Sequence, residues 1–249
     1  MTTPESTSVA HKARYLAAGE CALVVEYGSV VDPKVNDQVL VMDAAVNNAG
    51  IKGVIETTPT LRSLMVHFDP LQISQAELIT RLQEIDGGFN SSAAVTCSRW
   101  LLPICYEGDC AEDLAELANQ LRMPVERVVS LHSSAVLRLY MYGFAPGYLY
   151  MGGNPSELYI SRRAAPRPGL VATGGVVMAV GCTGIYPCPL PTGWYVIGRT
   201  PERLFALNRS PIVLCKPGDE IVIERIDRQK FDVLSKEAAA GRALIRRVG

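Results

Sequence analysis

The sequence predicts an α+β protein of two domains, an N-terminal unit of alternating strands and helices followed by a mainly β sandwich or barrel. Three observations carry this. The chain has 249 residues, more than one compact domain commonly uses. Between residues 22 and 105 the apolar positions switch between strand-like runs and helical spacing. From Leu137 onward, short apolar runs are broken by Gly or Pro about every ten residues, as turns between strands require.

Ala22 to Glu26 reads as the first strand, and Val35, Val39, Met42 and Val46 then recur at helical spacing. Gly53 to Glu56 and Ser63 to Phe68 are β-type runs, ended by Pro59 and by Asp69-Pro70. Ser74 with Glu77 three residues later is a capping box, followed by the stripe Leu78, Leu82, Ile85 and the stop Gly87-Gly88. A further strand between Ala93 and Cys105 completes the order β-α-β-β-α-β, that of a ferredoxin-like split unit.

Leu114, Leu117, Ala118 and Leu121 mark a helix, and Pro124 opens another. On that second helix Val125, Val128, Val129 and His132 share one face. Lys216-Pro217-Gly218-Asp219 is a turn before the strand Glu220 to Ile226, and Ala238 to Arg247 reads as a frayed helical tail. The expected division is 11–98 for the N-terminal domain, 99–235 for the β domain with the helical pair at its start, and 236–249 for the tail.

Lys+Arg 24 against Asp+Glu 25, with 48% hydrophobic and 20% charged residues, describes a globular chain without a bulk charge for nucleic acid or a membrane surface. Neither partner is expected. Yet residues 168–198 hold no charge at all. At one charge in five, a run of that length arises by chance with a probability of about 0.001 per starting point. Its seven glycines and four prolines exclude a membrane span, leaving a buried, turn-rich β segment. Met1 to Ala10 lacks an apolar signal core, so a cytoplasmic location is expected. The seven cysteines contain no C-x-x-C pair and are expected to be reduced and mostly buried.

The sequence has no G-x-G-x-x-G, no Walker element and no H-x-x-x-H pair among His11, His67 and His132. No metal site is expected. The positive signal lies between Tyr140 and Pro201. Gly143 to Gly153 places aromatics between glycines and a proline, as either a rigid binding loop or a set of tight corners with aromatic plugs. Arg162, Arg163 and Arg167 precede the chargeless run and Arg199 follows it; they are either a clamp for a carboxylate or phosphate, or solvated turn charges. His132 is either an acid–base group or a packing residue. Cys182 has nothing beside it in sequence to activate its thiol, so covalent catalysis is not indicated.

These residues resemble one family closely, the B subunit of bacterial ATP-dependent 5-oxoprolinase, often labelled allophanate hydrolase subunit 1. Its G-F-x-P-G-F-x-Y-L-G-G pattern is similar to Gly143–Gly153, with Tyr148 for Phe and Met151 for Leu. Its P-R-R-x-x-P-R element is matched by Arg162, Arg163, Pro166 and Arg167, and its G-x-T-G-I-Y-P by Gly181 and Thr183 to Pro187. Its G-W-x-x-I-G-R-T is matched by Gly193, Trp194 and Ile197 to Thr200.

The resemblance implies a cyclophilin-like barrel for the second domain and two partners, a C subunit with a related barrel and an A subunit. It implies ATP, with Mg2+, in the assembled complex, and conversion of 5-oxo-L-proline to L-glutamate. The family also includes an inhibitor of a histidine kinase and a urea-carboxylase-type domain, so a regulatory protein or a subunit acting on another amide are alternatives. By the same resemblance His132, Arg163 and Arg199 would be catalytic. Tyr140, Phe144, Pro146, Gly147, Tyr150, Arg162, Arg167, Cys182, Thr183, Gly184 and Tyr186 would contact substrate or phosphate. Cys182 stands where the family commonly has Gln, and a thiol offers a weaker donor and acceptor there.

Overall fold

The computed structural model describes residues 13–88 and 96–248. The chain divides into two compact units, Met1–Val95 and Thr96–Gly249. Met1 to Ala10, His11 and the stretch 89–95 lie outside the described residues.

The first unit contains β1 (Arg14–Ala17), β2 (Ala22–Glu26), α1 (Pro33–Ala49), β3 (Val54–Pro59), β4 (Ser63–Phe68) and α2 (Gln75–Gly87). Asp32 caps α1 through the Lys34 amide, Pro33 supplies a preset first turn, and Gly50 leaves the helix in the left-handed conformation. Ser74 accepts the Glu77 amide at 3.2 Å, as the capping box predicts. The four strands form one antiparallel sheet in the order β1-β2-β4-β3. Alternate residues Leu23, Val25, Leu64, Val66 and Phe68 meet Val39, Met42, Leu78 and Leu82 in its core.

Here the expectation of β-α-β-β-α-β is corrected. The fourth strand of this sheet is β1, ahead of β2, and the strand after α2 joins the other unit. β1 has no strong sequence signal because Arg-Tyr-Leu-Ala is short and exposed at both ends.

That strand is β5 (Arg99–Cys105), followed by α3 (Leu114–Gln120), α4 (Val125–Ser133), β6 (Leu137–Tyr142), β7 (Leu149–Gly152), β8 (Gly175–Ala179), β9 (Cys182–Ile185), β10 (Tyr195–Arg199), β11 (Glu220–Ile226), α5 (Arg228–Ala239) and β12 (Arg246–Arg247). The sheet runs β10-β8-β9-β7-β6-β11-β5, and a further pairing of β10 with β5 closes it into a seven-stranded barrel. β5 is held by β11 in parallel over seven residue pairs, and β12 adds to its free edge.

The chargeless run becomes β8, β9 and β10, three neighbouring strands. Both faces of β8 are buried: Val176 and Met178 join the leucine-rich cluster under α3 and α4, while Val177 and Ala179 join an aromatic cluster with Tyr148, Tyr186 and Trp194. A strand covered on both sides has no position for a charge, because an unpaired one would be stranded away from water.

The frayed tail expected at the C-terminus is also corrected. Ile245 is 5% exposed within the main core, and buried Glu202 accepts the Leu244 and Ile245 amides while pairing with Arg209. The cysteines are all free, with Cys105, Cys110 and Cys215 buried, Cys182 half-buried and Cys21, Cys97 and Cys188 exposed, fewer buried than expected. No helix among the described residues is long and apolar enough to cross a membrane.

Candidate functional site

The glycines of the β6–β7 connection make room for one ring. A Cβ on Gly143 would meet the Tyr148 ring at 2.5 Å, and one on Gly184 would meet its Oη at 2.3 Å. Tyr148, 1% exposed, fills that slot as a plug. Around it the ring centroids of Phe144, Tyr150 and Tyr186 lie at 5.1, 4.7 and 4.9 Å, and Trp194 stands edge-on to Tyr150 at 5.9 Å. The tight corner with its aromatic plug is therefore present. The plug's outer side is the wall of a pocket of about 300 Å³, lined by Phe144, Tyr148, Tyr150, Arg162, Val180, Tyr186, Pro191, Thr192, Gly193 and Trp194. Burial raises the Tyr148 and Tyr150 phenols above their ordinary range, so both stay protonated and able to donate at neutral pH.

The four arginines separate by role. Arg163 forks onto Glu116 at 3.0 and 2.6 Å, reaches Asp113 at 3.0 Å, and lies 4.4 Å above the Tyr195 ring. Arg167 pairs with Glu112. Arg199 donates to the Thr173 carbonyl at 2.9 Å, with its guanidinium 5.5 Å from the Phe231 ring. None of these three lines the pocket. Arg163 and Arg167 instead pin their segment to the start of α3, and their amides bond the Gly193 and Thr192 carbonyls. This anchoring places Arg162 beside Gly193, with its guanidinium in ordinary contact range of that residue. Among the described residues Arg162 has no carboxylate partner, and it is the one cation on the pocket wall. Sequence spacing puts all four arginines together; the acidic N-terminal stretch of α3, which absorbs two of them, carries no sequence signal as their partner.

His132 is fully buried and does not reach the pocket. Its Nδ1 is 2.7 Å from the Tyr106 hydroxyl and its Nε2 3.0 Å from Thr183 Oγ1. Asn154 donates to that same Oγ1 at 2.9 Å and accepts from it at 3.3 Å, so each ring nitrogen of His132 has a hydroxyl partner and Thr183 is held from both sides. Burial pushes its pKa down to about 4. The structure thus places His132 as a buried joint between α4 and β9, away from the pocket wall. The strand's alternation explains it: Thr183 and Ile185 face the main core, whereas Cys182 and Gly184 face Tyr148.

Of the other expected contacts, Phe144, Tyr150 and Tyr186 line the pocket with Arg162. Tyr140 is buried on β6 over Gly152, Pro146 is exposed, and Gly147 forms a left-handed turn packed on Phe205. Burial raises the Cys182 thiol, so no thiolate is favoured there. Val180, Thr192 and Trp194 join the wall without having been expected as contacts, although Trp194 lies within the G-W-x-x-I-G-R-T motif.

The 5-oxoprolinase B subunits of Bacillus subtilis (strain 168) and Escherichia coli O157:H7 are 29% and 33% identical, covering 88% and 84% of this chain and 95% and 94% of their own. The solved structure of TTHA0988 matches with 28% identity and a TM-score of 0.72 over 82% of this chain, which spans 40% of that one. The urea amidolyase of Kluyveromyces lactis shares the fold, with a TM-score of 0.80 at 18% identity over 99% of this chain and 17% of its own. Residues 13–215 match the carboxyltransferase domain, subdomain C and D. Four ordered motifs, a closed barrel and a match over most of the chain agree: the protein belongs to the carboxyltransferase-domain family, subdomains C and D.

Proposed function

We propose that this chain is the B-type member of an ATP-dependent amide-hydrolysing complex, and that its aromatic pocket holds a small lactam acid, 5-oxo-L-proline, on the way to L-glutamate. The observation that carries the reading is Arg162, a guanidinium that among the described residues has no carboxylate partner, on the wall of an aromatic pocket. A carboxylate ligand would complete it with a bidentate, charge-assisted pair. Tyr150 and Trp194 offer faces for a flat ring, and the protonated Tyr150 phenol is a donor for an amide oxygen whose negative charge grows during attack. The pocket lies at the small end of the ~300–1,000 Å³ range of ligand sites.

Mg-ATP does not fit this pocket, because no carboxylate lines it to carry the metal. Nor do the described residues contain a group of three or more His, Cys, Asp or Glu suited to a metal ion. The reading therefore assigns ATP and Mg2+ to the partner subunits, a C-type and an A-type chain, and this chain to binding and orienting the lactam. The bacterial relatives are themselves members of multi-subunit enzymes, which supports partners in general. The test is glutamate release from 5-oxo-L-proline by the purified chain mixed with its partner subunits and ATP. Glutamate is expected only when all components are present. A folded, complete assembly that releases none sinks the substrate assignment.

A further inference from the structure

Val180 and Gly181 are the two central residues of the hairpin joining β8 to β9, where Ala179 pairs with Cys182. Both have positive φ, 47° for Val180 and 75° for Gly181. Such a turn matches the twist of the strands and calls for Asn-Gly or Asp-Gly. A β-branched residue is the poorest choice for its first position, because its two methyl-bearing branches crowd the backbone in the left-handed region. Burial does not explain the choice either, since Val180 is 41% exposed. Its other surroundings hold the strained turn in place. The Val180 amide donates to the Ile160 carbonyl at 2.6 Å, and Asn154 donates to the Gly181 carbonyl at 3.2 Å as well as to Thr183. Strain that the surroundings enforce concentrates at functional positions, and this one is on the pocket wall with Arg162 and Trp194.

We propose that Val180 is a specificity-determining residue: the left-handed turn drives its branched side chain against the pocket, where it limits the ring size of the lactam that Arg162 can hold. The class of ligand rests on the functional reading above; the geometry does not. Removing the branch gives more room to the ring, and a residue that accepts positive φ relieves the turn. The two effects oppose each other in sign, as stability and function do at strained sites.

The experiment uses the assembled complex and two substrates, 5-oxo-L-proline and its six-membered lactam homologue. In V180G and V180N the ratio of kcat/KM values should move about tenfold toward the larger ring, the effect of one methylene in a fitted pocket. Melting temperatures should hold or rise by a few degrees. V180I, which keeps the branch, should shift the ratio the other way. An unchanged ratio in V180G and V180N, or a clear fall in both melting temperatures, overturns the proposal. A substrate-free arm on the purified chain, with Trp100→Phe in every variant so that Trp194 is its tryptophan, separates it from the functional reading: acrylamide quenching of Trp194 should increase in V180G and not in V180I. If the wild-type complex opens neither lactam, the functional reading fails while quenching still decides on Val180, and equal quenching in all variants overturns it.

Discussion

Acid should loosen the barrel unit through one residue, His132. Folded, its pKa is held down to about 4 by burial, against 6.5 for the free side chain. The unfolded chain therefore takes up a proton below pH 6.5, and the folded chain does so only near 4. The contribution is complete above 6.5, is lost as pH falls toward 4, and changes no further below that. At 1.36 kcal/mol for each pH unit between the two values, the loss amounts to about 3 kcal/mol. For a unit of this size that corresponds to roughly 6–12 °C in melting temperature. Both tryptophans, Trp100 and Trp194, belong to the barrel unit, so their fluorescence during urea unfolding reports on it alone. Comparing wild type with His132→Gln between pH 7.5 and 4 cancels the carboxylates common to both. The stability advantage of the wild type should shrink by about 3 kcal/mol across that range. Parallel curves for the two proteins would refute a buried neutral histidine, as would an imidazole that titrates near 6.5 by NMR.

Gly184→Ala places a Cβ against a Tyr148 hydroxyl that has nowhere to go, and should cost about 1–3 kcal/mol in urea unfolding while distorting the pocket wall. Asp113→Ala removes the carboxylate that accepts the Val196 amide at 2.8 Å and holds Arg163, so a loss of about 3 kcal/mol is expected in thermal unfolding. Glu202→Ala strands Arg209 and two amides near the C-terminus. Hydrogen exchange at Leu244 and Ile245 should accelerate, with a loss of about 3 kcal/mol in stability.

Local signals are legible where chemistry acts over a few residues. Ser74 and Glu77 mark the α2 cap, Pro124 the start of α4, and the chargeless run a set of strands buried on both faces. What is not legible depends on pairings far apart in the chain. β5 pairs with β11, across Trp100 and Ile221, and no local pattern says that it leaves the first unit. β12 is two residues long and exists only because β5 has a free edge. The site shows the same divide. The aromatic–glycine loop is visible as a place of close packing, and the four arginines as a cluster, but only the fold shows Glu112, Asp113 and Glu116 engaging two of them. Alternation along β9 also fixes where His132 sits, since Thr183, which it touches, faces the main core while its neighbours Cys182 and Gly184 face Tyr148.

In the proposed function Arg162 alone among the four arginines meets the substrate, while Arg163 holds the loop that presents it. Steady-state rates over a range of 5-oxo-L-proline concentrations, with melting temperatures, for Arg162→Ala and Arg163→Ala in the assembled complex test it most directly. Loss of a charge-assisted pair, about 1.5–3 kcal/mol, predicts a KM raised roughly 10- to 150-fold in Arg162→Ala with an unchanged melting temperature. Arg163→Ala should instead lower the melting temperature of the barrel unit. A wild-type KM in Arg162→Ala, with the main loss of substrate affinity in Arg163→Ala, would contradict the account.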